Sequence, residues 1–129
     1  MAHEFRKREE EEELIRRFED NLRKNSSNFF DIDSYELIID YYLDHNKFKK
    51  ALTAVDQAIE LFPFSTDLIA VKAQVLSNLE RYEEALELLD RAKNLNPSNI
   101  EIYLSTGSIY SLQGKHEQAI QVYEEALAF

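Results

Sequence analysis

The sequence predicts an all-α protein built from stacked helical hairpins, and two observations predict it. The chain has 129 residues but only two Gly and two Pro, which leaves few breaks and favours long helices over a turn-rich β architecture. Residue classes also recur at a spacing of 34. Pro63 and Pro97 are one such pair, Ala51, Ala85 and Ala119 form a series, and Ala58, Ala92 and Ala126 form another. The ring-bearing residues Phe48, Tyr82 and His116 keep the same spacing, as do the helix-capping types Asp31, Ser65 and Asn99. Five independent series at one period mark an internal repeat.

Each element follows from this frame. Residues 1–31 lie outside the period. A run of acids from Glu9 to Glu13 is flanked by Arg6, Lys7, Arg8 and then Arg16, Arg17, while Leu14, Ile15, Phe18 and Leu22 fall on one helical face. This predicts an amphipathic N-terminal helix that caps the open end of the stack or, alternatively, binds a partner or pairs with itself, broken by Asn25-Ser26-Ser27-Asn28. Phe29 and Phe30 are expected to tuck under the first hairpin. In the unit 32–65, Tyr35, Ile38, Ile39, Tyr42 and Leu43 form the first helical stripe, and His45-Asn46-Lys47 forms the turn. Phe48, Ala51, Leu52, Val55, Ala58 and Ile59 form the second stripe, which Pro63 ends. The unit 66–99 repeats this with Ile69, Ala73 and Leu76, then Tyr82, Ala85, Leu89 and Ala92. The unit 100–129 has Tyr103, Gly107 and Tyr110, then Ala119, Tyr123 and Ala126, with Gly114 as the left-handed residue of its turn. Ala51, Ala58 and Gly107 are placed where two helices approach closely. His116 is expected to replace a ring packed between helices. Tyr123, Ala126, Leu127 and Phe129 would face nothing, so the chain reads as the N-terminal part of a longer repeat protein or as one that self-associates there.

These residues carry a resemblance. A period of 34 with aromatic, small and proline positions in this order resembles the tetratricopeptide repeat, as in bacterial-type repeat proteins. It spans residues 32–129 in three repeats, and the third matches best through Tyr103, Gly107, Tyr110, Ala119, Tyr123 and Ala126. The first unit departs with Ile39 where the family favours Gly and Val55 where it favours Phe. The resemblance implies an α-solenoid, with three helix-turn-helix hairpins in a right-handed superhelix behind the N-terminal helix.

Composition narrows the function. A net charge of −10 repels phosphate backbones and anionic lipid surfaces, so neither nucleic acid nor membrane is an expected partner. The absence of Cys removes disulfides, thiol catalysis and Cys-based zinc sites. No signal-peptide core precedes the charged N-terminus, which points to the cytoplasm. His3, His45 and His116 have no second ligand at a metal-binding spacing, and Glu83-Glu84 and Glu124-Glu125 diverge by about 100° on a helix. Asn25-Ser26-Ser27 matches a glycosylation acceptor only in form. No catalytic residue, metal or cofactor is therefore expected, and the protein reads as no enzyme.

The resemblance further implies that the first helices of successive hairpins line a concave groove for a peptide or helix of another protein. By register, the groove takes Asp33, Glu36, Leu37, Asp40, Leu43 and Asp44 from the first unit and Asp67, Ala70, Val71, Gln74, Ser77 and Asn78 from the second. The third supplies Glu101, Leu104, Ser105, Ser108, Ser111 and Leu112. Relatives that grip acidic chaperone tails use cations on this face, where this chain has Glu36, Asp40, Val71, Glu101 and Ser105. A basic or amphipathic segment is thus expected in preference to an acidic tail. The alternative is a structural module that pairs with itself, as a homodimer through the N-terminal helix or the open C-terminal end.

Overall fold

The computed structural model describes residues 1–26 and 29–129, whose regular structure is seven α-helices. They are α1 (Ala2–Arg23), α2 (Ile32–Asp44), α3 (Phe48–Leu61), α4 (Thr66–Asn78), α5 (Tyr82–Leu95), α6 (Ile100–Leu112) and α7 (His116–Ala126). The chain divides into two compact units, Met1–Leu61 and Phe62–Phe129. In the first, α2 and α3 form a hairpin against which α1 packs; in the second, the hairpins α4/α5 and α6/α7 stack, with α6 against both α4 and α5. No helix among the described residues is long and apolar enough to cross a membrane.

The hairpins start and stop by the same local chemistry. Asp31, Ser65 and Asn99 are the N-caps of α2, α4 and α6. Their side-chain oxygens accept from the amides of Ser34 (2.8 Å), Leu68 (3.2 Å) and Glu101 (3.1 Å), satisfying donors that the first helical turn leaves unpaired. At the other end, Asn46, Glu80 and Gly114 adopt left-handed φ values of 57°, 60° and 76°. The amides of Lys47, Arg81 and Lys115 then each donate at 2.8 Å to the carbonyls of Tyr42, Leu76 and Tyr110. This bond returns to the third-last helical residue and closes the helix with a left-handed cap. The three positions are again 34 residues apart. Asn25, with φ 52°, closes α1 in the same way; the neighbouring Ser27 and Asn28, part of the expected break and of the formal glycosylation acceptor, lie outside the described residues.

Glutamate is poorly suited to the left-handed region, which costs an L-residue with a Cβ roughly 1–2 kcal/mol. Glu80→Gly is therefore expected to stabilise the second unit by about 0.5–1 kcal/mol, because glycine's extra freedom in the unfolded chain offsets part of that relief. A urea titration checks it, and an unchanged or lowered midpoint would contradict it.

In the first unit, Tyr35, Ile38, Ile39 and Tyr42 of α2 and Ala51, Ala54, Val55 and Ala58 of α3 form the core. α1 adds Ile15 and Phe18. The Phe18 ring lies 6.2 Å from Phe30 and 6.1 Å from Tyr42, and Phe30 meets Tyr35 edge-on at 5.6 Å. Phe30 thus tucks under the hairpin as expected, but Phe29 does not: it is 77% exposed, because adjacent residues in the link to α2 cannot both turn inward. A polar tie completes the docking of α1. The Glu19 carboxylate accepts from the Tyr42 hydroxyl at 2.7 Å and from the Lys50 ammonium at 3.1 Å. The Tyr42 bond, opposed in part by desolvation and helped by Lys50, holds the Glu19 carboxyl below its ordinary range. This contribution to stability is present above the unfolded-state value and is lost as pH falls through the lowered native one.

In the second unit, Leu68, Ala73, Val75, Leu76, Ala85, Leu89, Ala92 and Ile102 are buried. Gly107 of α6 faces α7 so closely that an added Cβ would lie 2.6 Å from Tyr123 Cζ. The two helices approach through the missing side chain. His116 is exposed at the start of α7, contrary to the expectation of a packed ring; its imidazole is more polar than the half-buried Phe48 and Tyr82 at the equivalent positions and stays in water. Leu127 and Phe129 are 83% and 57% exposed, although Phe129 lies 5.5 Å from the Tyr103 ring.

Candidate functional site

The residues predicted to line the groove are carried by α2, α4 and α6, the first helix of each hairpin. On α2, the buried set Tyr35, Ile38, Ile39 and Tyr42 fixes the helix's rotation. Asp33, Glu36, Leu37, Asp40 and Asp44 are thereby turned outward and exposed, and Leu43 is half-buried. Asp40 and Asp44, one turn apart, have no ion-pair partner among the described residues. Partial burial and then the Asp44 charge push the Asp40 carboxyl above its ordinary range. Because the native form then binds the proton more tightly than the unfolded chain, this group's contribution declines as pH rises through the raised value. Asp40→Asn is therefore expected to stabilise the protein at pH 7 and to have little effect at pH 3. Urea titrations at the two pH values check this, and an equal shift at both would contradict it.

In the second unit, α4 and α6 run side by side and enclose a cleft of about 320 Å³. Gln74, Ser77 and Asn78 line it from α4, and Leu104, Ser105, Ser108, Ile109 and Leu112 from α6. All but Ile109 belong to the predicted set, so the register brings them into one place. Leu104 and Leu112 are 44% and 61% exposed, two apolar anchors among amide and hydroxyl groups that can both donate and accept. Asp67 and Glu101 are exposed in the first turns of α4 and α6, and Val71 is half-buried; none of the three lines the cleft. Ala70 does not line it either: it is buried, because a methyl is too short to reach past the longer side chains beside it.

Two features were not read from the sequence. One is a second cleft, about 300 Å³, among α5, α6 and α7, floored by Leu89, Ile102 and Tyr103 and edged by Asp90, Gln118 and Gln121. Lys93 of α5 bridges toward α7 at its rim, 3.4 Å from Glu125 and 5.4 Å from the Tyr103 ring centre. The other is an apolar cleft beside α1. The alternation of polar and apolar residues gave a signal for neither, since each depends on side chains far apart in the chain. Among the described residues, no three His, Asp or Glu are grouped so as to hold a metal ion.

Comparison with known proteins places this geometry. Residues 68–129 match the tetratricopeptide repeat family model. No curated protein matches the sequence. Among solved structures, the crystal structure of MamA is similar at 21% identity and a TM-score of 0.64, over 74% of this chain and 56% of that one. A second MamA structure, AMB-1, is similar over 92% of this chain and 61% of that one, at 20% identity and a TM-score of 0.66. The TPR2B domain of yeast Sti1, in its pHsp70 complex, is similar at 17% identity and a TM-score of 0.66, over 73% of this chain and 75% of that domain. The chain thus spans little more than half the length of MamA, and at these identities the likeness is one of fold. The family match identifies residues 68–129 as tetratricopeptide repeats, and the period, caps and hairpin packing carry the same fold through the hairpin α2/α3.

Proposed function

We propose that this protein is a non-catalytic interaction module, cytoplasmic in setting, that holds a peptide or helix of another protein against the outward faces of α4 and α6. The observation that carries the reading is the α4–α6 cleft, where Leu104 and Leu112 stand exposed beside Gln74, Asn78, Ser105 and Ser108. Apolar anchors ringed by adaptable hydrogen-bonding groups suit a segment that inserts side chains and offers its backbone. The Sti1 domain is seen with pHsp70, but the predicted groove residues of this chain include Glu36, Asp40 and Glu101 and no Lys or Arg. A basic or amphipathic segment is the better electrostatic match.

Affinity capture from the source lysate tests it. Leu104→Asp/Leu112→Asp should lose the captured protein by about tenfold or more, with the melting temperature nearly unchanged because both residues are exposed. Undiminished capture would remove the cleft from the reading. Ile120, Leu127 and Phe129, each more than half exposed, favour a second reading, in which the module pairs with itself through α7; a mass in solution twice that of the chain at micromolar concentration would support it.

A further inference from the structure

The first unit holds an apolar cleft of about 490 Å³ that the repeat pattern does not account for. α1 forms one wall and Leu37 of α2 the other, with Leu14 between the charged groups of α1. Leu37 is 46% exposed, so the cleft presents apolar surface to water rather than burying it in the core. Its occupant is defined by how the charges around it are already used. Of the cations that line it, Arg17 is drawn over the Phe30 ring at 5.1 Å, which leaves Arg6 and Lys7 at one end. Glu9, Glu10 and Glu11 follow them along the wall and make no ion pair among the described residues. Past the cleft's own lining, Asp40 and Asp44 stand one and two helical turns beyond Leu37, on the same side of α2 and equally without a cation among the described residues. Like charges one turn apart on a helix repel, and an arriving cation relieves that repulsion.

We infer that the cleft between α1 and α2 docks a basic amphipathic segment of a partner protein, with one apolar side chain seated between Leu14 and Leu37 and flanking Lys or Arg side chains meeting Glu9 and Glu10 along α1 and, past the cleft's end, Asp40 one turn beyond Leu37. The inference rests on the reading of the protein as an interaction module, and it makes α1 part of the binding surface rather than only a cap. The apolar contact supplies the hold. The carboxylates steer approach and orientation, and Arg6 and Lys7 turn the basic end of the segment away from their own end.

A random peptide library displayed on phage and selected on the full chain tests this. The expected outcome is enrichment of peptides with one large apolar residue flanked by Lys or Arg. Those peptides should bind Leu37→Ser and Glu10→Lys/Asp40→Lys at least about tenfold more weakly, with a further loss at high salt. All three changed residues are exposed, so the fold is kept. Enrichment of acidic or uncharged peptides would overturn the inference. So would peptides that bind these variants as well as the wild type but lose Leu104→Asp/Leu112→Asp; that result would leave the interaction reading standing. Enrichment of no sequence at all would sink both.

Discussion

Gly107→Ala is expected to destabilise the second unit by about 1–2 kcal/mol, and to do the opposite once Tyr123 is removed. Alanine is ordinarily the better helix residue by about 1 kcal/mol. Here its methyl would enter the Tyr123 ring, 2.6 Å from Cζ and 2.9 Å from Cδ1, so the α6/α7 hairpin must open or the ring must leave its place. Overpacking costs about 1–3 kcal/mol, and a clash with three ring atoms lies in the upper part of that range, about 2–3 kcal/mol, which outweighs the gain in propensity. In a Tyr123→Ala background the space is open, and the same change should stabilise by up to about 1 kcal/mol. Urea titration of the four proteins reads the sign directly. Equal effects in the two backgrounds would mean that the ring is not what excludes a side chain at this position.

Phe18→Ala should have the largest effect in the first unit, about 3–5 kcal/mol. The ring is fully buried between Phe30 and Tyr42. With it removed, the packing of α1 rests on Ile15 and on the Glu19 tie to Tyr42 and Lys50. That tie is at the surface on the Lys50 side and contributes modestly. The expected readout is rapid tryptic cleavage at Arg16, Arg17 and Arg23, with loss of helical signal. Persistence of α1 under protease would show that its docking depends on other contacts.

The repeat frame was legible because it is written in local chemistry. Asp31, Ser65 and Asn99 carry short side-chain acceptors, and each caps the helix that follows it. Gly114 could be read as a left-handed residue from its type alone. Glu80 could not, since nothing about glutamate announces φ 60°; only its place 34 residues before Gly114 does. The rotation of α2 was legible from its apolar stripe and that of α6 from the repeat positions of Tyr103, Gly107 and Tyr110, and together they delivered the faces that carry Leu37, Leu104 and Leu112. The clefts were less so. Whether Ala70 lies in a groove or under it depends on the length of neighbouring side chains, and a period carries no such information. The Glu19–Tyr42 bond joins residues 23 apart in the chain, beyond any local pattern. His116 and Phe29 were misplaced for a related reason: position in the repeat assigned them to the interior, while polarity and chain direction put them in water.

That the outward faces of α4 and α6 hold a partner's segment is tested most directly by hydrogen exchange on the protein alone and with its captured partner. Added protection is expected at residues 74–78 of α4 and 104–112 of α6, where the cleft-lining groups lie. Protection confined to α7, with residues 74–78 and 104–112 unchanged, would contradict it and place the contact on the hairpin's opposite helix.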